Sequence, residues 1–253
     1  YKLNPKFLAG DKLNYCPMCL SEKNYWRAKW QLRCSFICAS HRIWLHDCCP
    51  VCRHSQSLFN RSLDKCVCGV RLTRSCREAV STDLLLWQKF IEGNLTDEDV
   101  NAYPLLIGIS SQYSFEERIK ITSFILEWVK KTTTTSLRTN SVFNISYPEF
   151  RLIARDAAEV LFSGRAGYYS FLSKLMRNKE GKSNSFSDYY RVFNNLFTHQ
   201  KYDEIKKYND EFLNINWTKS LSGRNRSFST EAHTAHRWIA FQGACRKYGL
   251  HKS

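Results

Sequence analysis

The sequence predicts a mainly α-helical protein that begins with a small cysteine-rich module, and three observations support this. Ten of the eleven cysteines fall between Cys16 and Cys76. From about residue 81 onward, apolar residues recur at helical spacing. Helix-start signatures, a serine followed three residues later by glutamate, stand ahead of two of those stripes. The chain has 253 residues, enough for one large or two modest domains with a hydrophobic core.

The cysteines come as paired half-sites. Cys16-Pro17-Met18-Cys19 is followed by Cys38-Ala39-Ser40-His41, and Cys49-Pro50-Val51-Cys52 by Cys66-Val67-Cys68. Two ligands with two residues between them point at one ion because the intervening turn curls around it. The prolines restrict that turn, and backbone N–H groups donate to the thiolates. The spacing therefore predicts two structural zinc ions in tandem ribbons or knuckles. Cys16, Cys19, Cys38 and His41 would hold one, and Cys49, Cys52, Cys66 and Cys68 the other. Paired spacing with a histidine favours metal in a reducing compartment over a disulfide scaffold. Cys34 and Cys48 read as buried small hydrophobes. Cys76 is an alternative to Cys66 or Cys68, and His46 and His54 read as solvated. Within the module, Trp30, Leu32, Cys34, Phe36 and Cys38 take every second position, which predicts a half-buried strand.

Beyond the module the helices follow in order. Thr82 opens a helix carrying Leu84, Leu85, Trp87, Gln88 and Ile91 and closed by Gly93. Ser114 with Glu117 forms a capping box ahead of Ile121, Phe124, Ile125, Trp128 and Val129. Ser146, Pro148 and Glu149 start a helix that runs to Gly164, with proline at the first helical position. Further stripes cover Tyr168 to Leu175 and Ser187 to about Leu213. Polar stretches at Thr132–Asn140, Asn178–Ser187 and Lys219–Ser229 read as surface connectors. The expected divisions are a tandem zinc module over 1–78, a helical domain over 79–218 and a basic segment over 219–253.

Charge is concentrated at the two ends. Residues 1–78 carry 14 Lys and Arg against 5 acids, residues 219–253 carry 7 against 1, and the middle is balanced. Seven ligand thiolates with two divalent ions would trim the first excess from +9 to about +6. Two basic ends on a neutral body point to a polyanion partner, nucleic acid first. The candidate contacts are Arg27, Lys29 and Arg33 in the module and Arg224, Arg226, Arg237, Arg246 and Lys247 near the end. No apolar run reaches the roughly 18 to 20 residues of a membrane span. There is no HExxH, GxSxG or phosphate-cradling glycine loop, and the acids at Asp97–Asp99 and Glu116-Glu117 occupy helix starts. Four protein ligands per ion leave no open position, so the expectation is a protein without catalytic activity.

Tyr15-Cys16-Pro17-x-Cys19-Leu20, Tyr25, Arg27, Trp30-Gln31-Leu32, Cys38-x-x-His41, Leu45 and Cys49-Pro50-x-Cys52 resemble the zinc-finger core of the TniQ/TnsD family, the target-selection proteins of a class of bacterial transposons. The resemblance is dense over 15–72, and the stretch from Arg151 to Leu172 is similar to the helices that follow. It implies a non-catalytic adaptor in the bacterial cytoplasm. Such an adaptor links target DNA, or an RNA-guided CRISPR effector complex, to the AAA+ ATPase TnsC. The family usually carries a helix-turn-helix ahead of the zinc region, and a chain opening on Tyr1 leads one to expect native residues before it. Gly243 to Leu250 resembles the first helix and turn of a further helix-turn-helix. The competing reading is a RING-like ubiquitin ligase, which would pair the first half-site with the third.

Overall fold

In the computed structural model, the described residues are Leu8, 13–57, 62–102, 110–133, Val142, 145–177 and 185–216. The expected helix-turn-helix start and the cations from Arg224 to Lys247 lie outside them. The chain is mainly α-helical. Its helices are α1 (Pro17–Glu22), α2 (Thr82–Glu92), α3 (Asp97–Ala102), α4 (Phe115–Thr133), α5 (Tyr147–Phe162), α6 (Gly164–Arg177), α7 (Ser185–Leu196) and α8 (Asp203–Asn216). Among the described residues one antiparallel strand pair, β1 (Ile37–Cys38) and β2 (Ile43–Trp44), has Ile37 opposite Trp44 and Cys38 opposite Ile43.

The expected strand from Trp30 to Cys38 shrinks to the two residues of β1. Ala28–Gln31 form a 3-10 turn, and the Ser35 N–H donates to the Leu32 carbonyl at 3.0 Å, closing another turn. The alternate residues Trp30, Leu32, Cys34, Phe36 and Cys38 are all buried, but so are Ser35 and Ile37. From Cys34 to Cys38 both faces are covered, while Arg33 is exposed at the turn before them, so the alternation reflects a folded-over chain and not a sheet with one wet side.

The capping signals place the helices well. Ser114 and Glu117 exchange the two bonds of a capping box, with Ser114 N–H to Glu117 Oε2 at 2.8 Å and Glu117 N–H to Ser114 Oγ at 3.3 Å. The cap of α2 is Ser81, one residue before the expected Thr82, and Pro148 stands second in α5, behind Tyr147. The stripe from Ser187 to Leu213 divides into α7 and α8, separated by a 3-10 turn at Gln200–Tyr202. Gly93 ends α2 in the left-handed region (φ 84°), and a Cβ there would lie 2.9 Å from Arg118 Nη2. That guanidinium is committed to the Ile91 carbonyl at 3.2 Å and the Tyr113 carbonyl at 2.6 Å. Gly93→Ala therefore meets both backbone strain and a fixed neighbour. We expect a loss of about 1–2 kcal/mol in thermal or denaturant unfolding.

The chain forms two compact units, Tyr1–Gly164 and Arg165–Ser253. This division does not coincide with the expected boundary after residue 78. In the first unit, Phe36 of the cysteine module packs against Trp87 of α2 and Phe150 of α5, each with ring centroids 5.6 Å apart. Gln88 of α2 is wholly buried. Its Oε1 accepts from the N–H groups of Phe36 and Ile37, both at 3.3 Å, and its Nε2 donates to Ser35 Oγ and Glu92 Oε1. Tyr147 of α5 donates to the Leu45 carbonyl, and Arg151 pairs with Glu78 while its guanidinium lies 4.9 Å from the Trp44 ring.

In the second unit, α6, α7 and α8 bury a core rich in aromatic residues. Tyr168, Tyr189 and Asn209 are fully enclosed and hydrogen-bonded, with the Tyr168 hydroxyl 2.7 Å from that of Tyr189 and 2.8 Å from Asn209 Oδ1. At its edge Arg165 lies 4.8 Å from the Tyr169 ring and pairs with Glu211 at 3.0 Å.

Candidate metal centres

The turn chemistry of the module positions each half-site. Cys16 caps α1, its sulfur accepting from the Cys19 N–H, so one short helical turn brings the two side chains together. Cys38 ends β1 and His41 lies in the hairpin loop, where the Arg42 N–H closes on the Cys38 carbonyl at 2.8 Å. The third half-site closes through Arg53 N–H to the Cys49 carbonyl at 3.1 Å, and the fourth through Gly69 N–H to the Cys66 carbonyl at 2.9 Å. Arg42 (φ 55°), Arg53 (φ 60°) and Gly69 (φ 83°) each follow the second ligand of their half-site in the left-handed region, which turns the chain away from the cluster.

The ligand atoms of Cys16, Cys19, Cys38 and His41 all lie within 4.8 Å of one another, and so do those of Cys49, Cys52, Cys66 and Cys68. In the first group His41 Nδ1 is 3.4, 3.2 and 3.4 Å from the sulfurs of Cys16, Cys19 and Cys38, and the last two sulfurs are 3.5 Å apart. In the second, Cys49 and Cys68 approach at 3.8 Å and Cys52 and Cys66 at 3.5 Å. A tetrahedron with metal–sulfur bonds of about 2.3 Å has edges of about 3.8 Å, so both donor sets fit one four-coordinate ion each. The pairing is sequential: the first half-site meets the second and the third meets the fourth. The crossed pairing of a RING-like module is not formed.

In each group one thiol is pulled down while neighbouring thiols, Cys16 and Cys19 in the first and Cys52 in the second, are pushed up. A hydrogen bond from Cys16 pulls the Cys38 thiol down to about 4, while burial pushes Cys19 up to about 11 against the nearby Arg27 cation. Burial opposes the Cys66 thiolate, but the Cys68 backbone N–H and side-chain bonds from Cys52 and Gln56 outweigh it and bring Cys66 to about 7. Cys34 is fully enclosed and pushed up to about 12 by burial, as an inert core thiol should be. Cys76 is exposed and stands outside both groups, its carbonyl accepting from His46 Nε2 at 2.7 Å. His46, expected to be solvated, instead stacks on Tyr15 with centroids 5.5 Å apart, and burial lowers its pKa.

Two features were missed in sequence. Glu22, at the end of α1, holds His41 Nε2 at 2.7 Å and so directs Nδ1 toward the three sulfurs. A carboxylate behind a ligand histidine fixes its tautomer and ring orientation. Glu22→Ala should weaken metal retention at the first centre by about 10- to 100-fold in a chelator competition. The second feature is a shared core. Tyr15, Leu20, Trp30, Leu45 and Leu72 form one buried cluster with Cys16, Cys19, Cys38, Cys49 and Cys66, so the two centres are parts of a single body. The Tyr15 hydroxyl locks it, 2.7 Å from Ser75 Oγ and 3.0 Å from the Cys48 carbonyl.

Residues 2–45 match the family model for TniQ. That segment contains the whole first centre and ends before Cys49, which leaves the second centre outside the match. No curated protein and no solved structure matches the chain. The TniQ match agrees with the resemblance read from the residues between Tyr15 and Leu45.

Of the three module cations proposed for nucleic acid, two have polar partners within the chain, and Arg27, whose buried Nε has no hydrogen-bond partner among the described residues, has ring contacts. Lys29 pairs with Glu92 at 2.7 Å, and Arg33 Nε donates to the Leu8 carbonyl at 2.6 Å. The Arg27 guanidinium lies 5.9 Å from the rings of both Tyr25 and Trp30. Among the described residues no helix is long and apolar enough to cross a membrane.

Proposed function

We propose that this chain is a non-catalytic targeting adaptor in DNA transposition. It couples a target, either DNA that it contacts itself or an RNA-guided CRISPR effector complex, to the AAA+ regulator TnsC in the bacterial cytoplasm, and TnsC recruits the transposase. The TniQ match over residues 2–45 carries this reading. We assign both centres to zinc, because tetrahedral sets of three thiolates with one imidazole, and of four thiolates, suit that ion. Zinc would hold the turns in place and neutralise the thiolates. With four protein donors each, the centres are closed, so their role is to fix shape and not to activate water.

A pull-down tests the adaptor role. Tagged chain should retain the TnsC-type ATPase in the presence of ATP and target DNA. An ATPase that elutes alike with and without the chain would sink it. Copurification from the bacterial host shows which recogniser is used, since an RNA-guided complex either accompanies the chain or does not.

A further inference from the structure

Lys65 and Arg71 face each other across an isolated antiparallel bridge beside the second centre. The bridge is closed by Cys66 N–H to the Val70 carbonyl at 2.9 Å and by Leu72 N–H to the Asp64 carbonyl at 2.8 Å. The flanking residues thus make the hydrogen bonds, and Lys65 and Arg71 form the non-hydrogen-bonded type of pair, the one with the closest side chains, Cα atoms about 4.5 Å apart. Like charges directly opposite each other in such a pair are destabilising. Arg74 ends the 3-10 turn Leu72–Arg74, which Arg71 caps with extended backbone, and the Arg74 N–H donates to the Arg71 carbonyl at 3.2 Å.

All three residues are exposed, and among the described residues none has an ion pair or a side-chain hydrogen bond. Of the module's other cations, Lys29 pairs with Glu92 and Arg33 donates to the Leu8 carbonyl, while Lys23, Arg42 and Arg77 are exposed like these three but do not face a second cation across a bridge. The metal ligands Cys66 and Cys68 fix the backbone that brings the three charges together. Three exposed cations without an ion pair among the described residues, held on one short stretch beside the second centre, offer a surface to an external anion.

We infer that Lys65, Arg71 and Arg74 form a phosphate-contact surface for the backbone of duplex DNA. The inference rests on the proposal that the chain contacts DNA itself. Lys65 and Arg71 converge on one phosphate, with the arginine fork taking two oxygens. Arg74 lies one 3-10 turn, about 6 Å, further on. That distance is about one step between neighbouring phosphates of one strand, which wind around the axis and so stand further apart than their axial rise. The surface reads no bases. It sets register and supplies salt-sensitive affinity.

The test is binding of the full chain to a short labelled duplex of arbitrary sequence as salt is raised, alongside the triple variant Lys65→Gln, Arg71→Gln, Arg74→Gln. Metal content, unchanged in the variant, checks that the module remains folded. The variant should bind at least about tenfold more weakly at 0.1 M salt, and its plot of log affinity against log salt should be shallower by about 1.8, that is about 0.9 for each of the two phosphates no longer neutralised. A wild-type chain that binds duplex DNA with a slope the variant shares overturns this surface and leaves the DNA reading standing. A wild-type chain that does not bind removes both. Poly-glutamate that displaces the duplex as effectively as unlabelled DNA, and no longer binds the variant, would identify an acidic protein as the partner and also overturn the inference.

Discussion

Cys19→Ala should reduce the chain from two bound zinc ions to one and unfold the core around the first centre. Cys19 is one of four donors whose atoms lie within 4.8 Å of one another, and it is 99% buried in the cluster that both centres share. Structural zinc contributes about 10–16 kcal/mol of apparent binding free energy in small zinc modules, so loss of one ligand should cost well over about 3 kcal/mol. Atomic emission gives the metal count and thermal unfolding the stability. Cys76→Ala is the control: the residue is exposed and outside both groups, so it should keep both ions and the parent melting temperature. Two ions and an unchanged melt in Cys19→Ala would refute the ligand set. Because the second centre shares the same core, the damage should spread to it under mild chelation, where two independent ribbons would respond separately.

Gln88→Leu should be the most damaging substitution outside the metal centres. The leucine fills a similar volume but leaves the buried N–H groups of Phe36 and Ile37 without an acceptor and Ser35 Oγ without a donor. Each stranded buried amide costs about 1–3 kcal/mol, which puts the loss at about 2–6 kcal/mol in denaturant unfolding of the intact chain. Ser35→Ala removes a single contact and should cost only about 1 kcal/mol. Equal effects from the two variants would mean that the amides of Phe36 and Ile37 do not depend on Gln88.

Helix-forming and metal-binding signals are local, and they were legible. The Ser114–Glu117 capping box and the Gly93 stop involve residues within one turn of each other, so spacing alone marks them. The half-sites Cys16/Cys19 and Cys49/Cys52 work in the same way. Contacts that depend on distant segments left no such mark. Glu22 lies 19 residues from His41, and its helix-end position looks like any solvated acid. Gln88 reads as one polar residue in an apolar stripe, and nothing local says that it faces the amides before β1. The false strand at Trp30–Cys38 has the same origin. Period-two burial in a short segment does not distinguish one covered face from two.

By itself the sequence determined the mainly helical class, the helix starts, the identity of the eight candidate ligands and the resemblance that the TniQ match bears out over residues 2–45. These depend on turn geometry and residue chemistry over a few positions. Only the tertiary structure decided that the half-sites pair in sequence, that one core joins both centres, and that Phe36, Gln88 and Tyr147 bind the cysteine module to the helices of the first unit. It also decided which cations are free. Lysines and arginines look alike in a sequence, and their role follows from what lies opposite: Glu92 beside Lys29, but Arg71 across from Lys65.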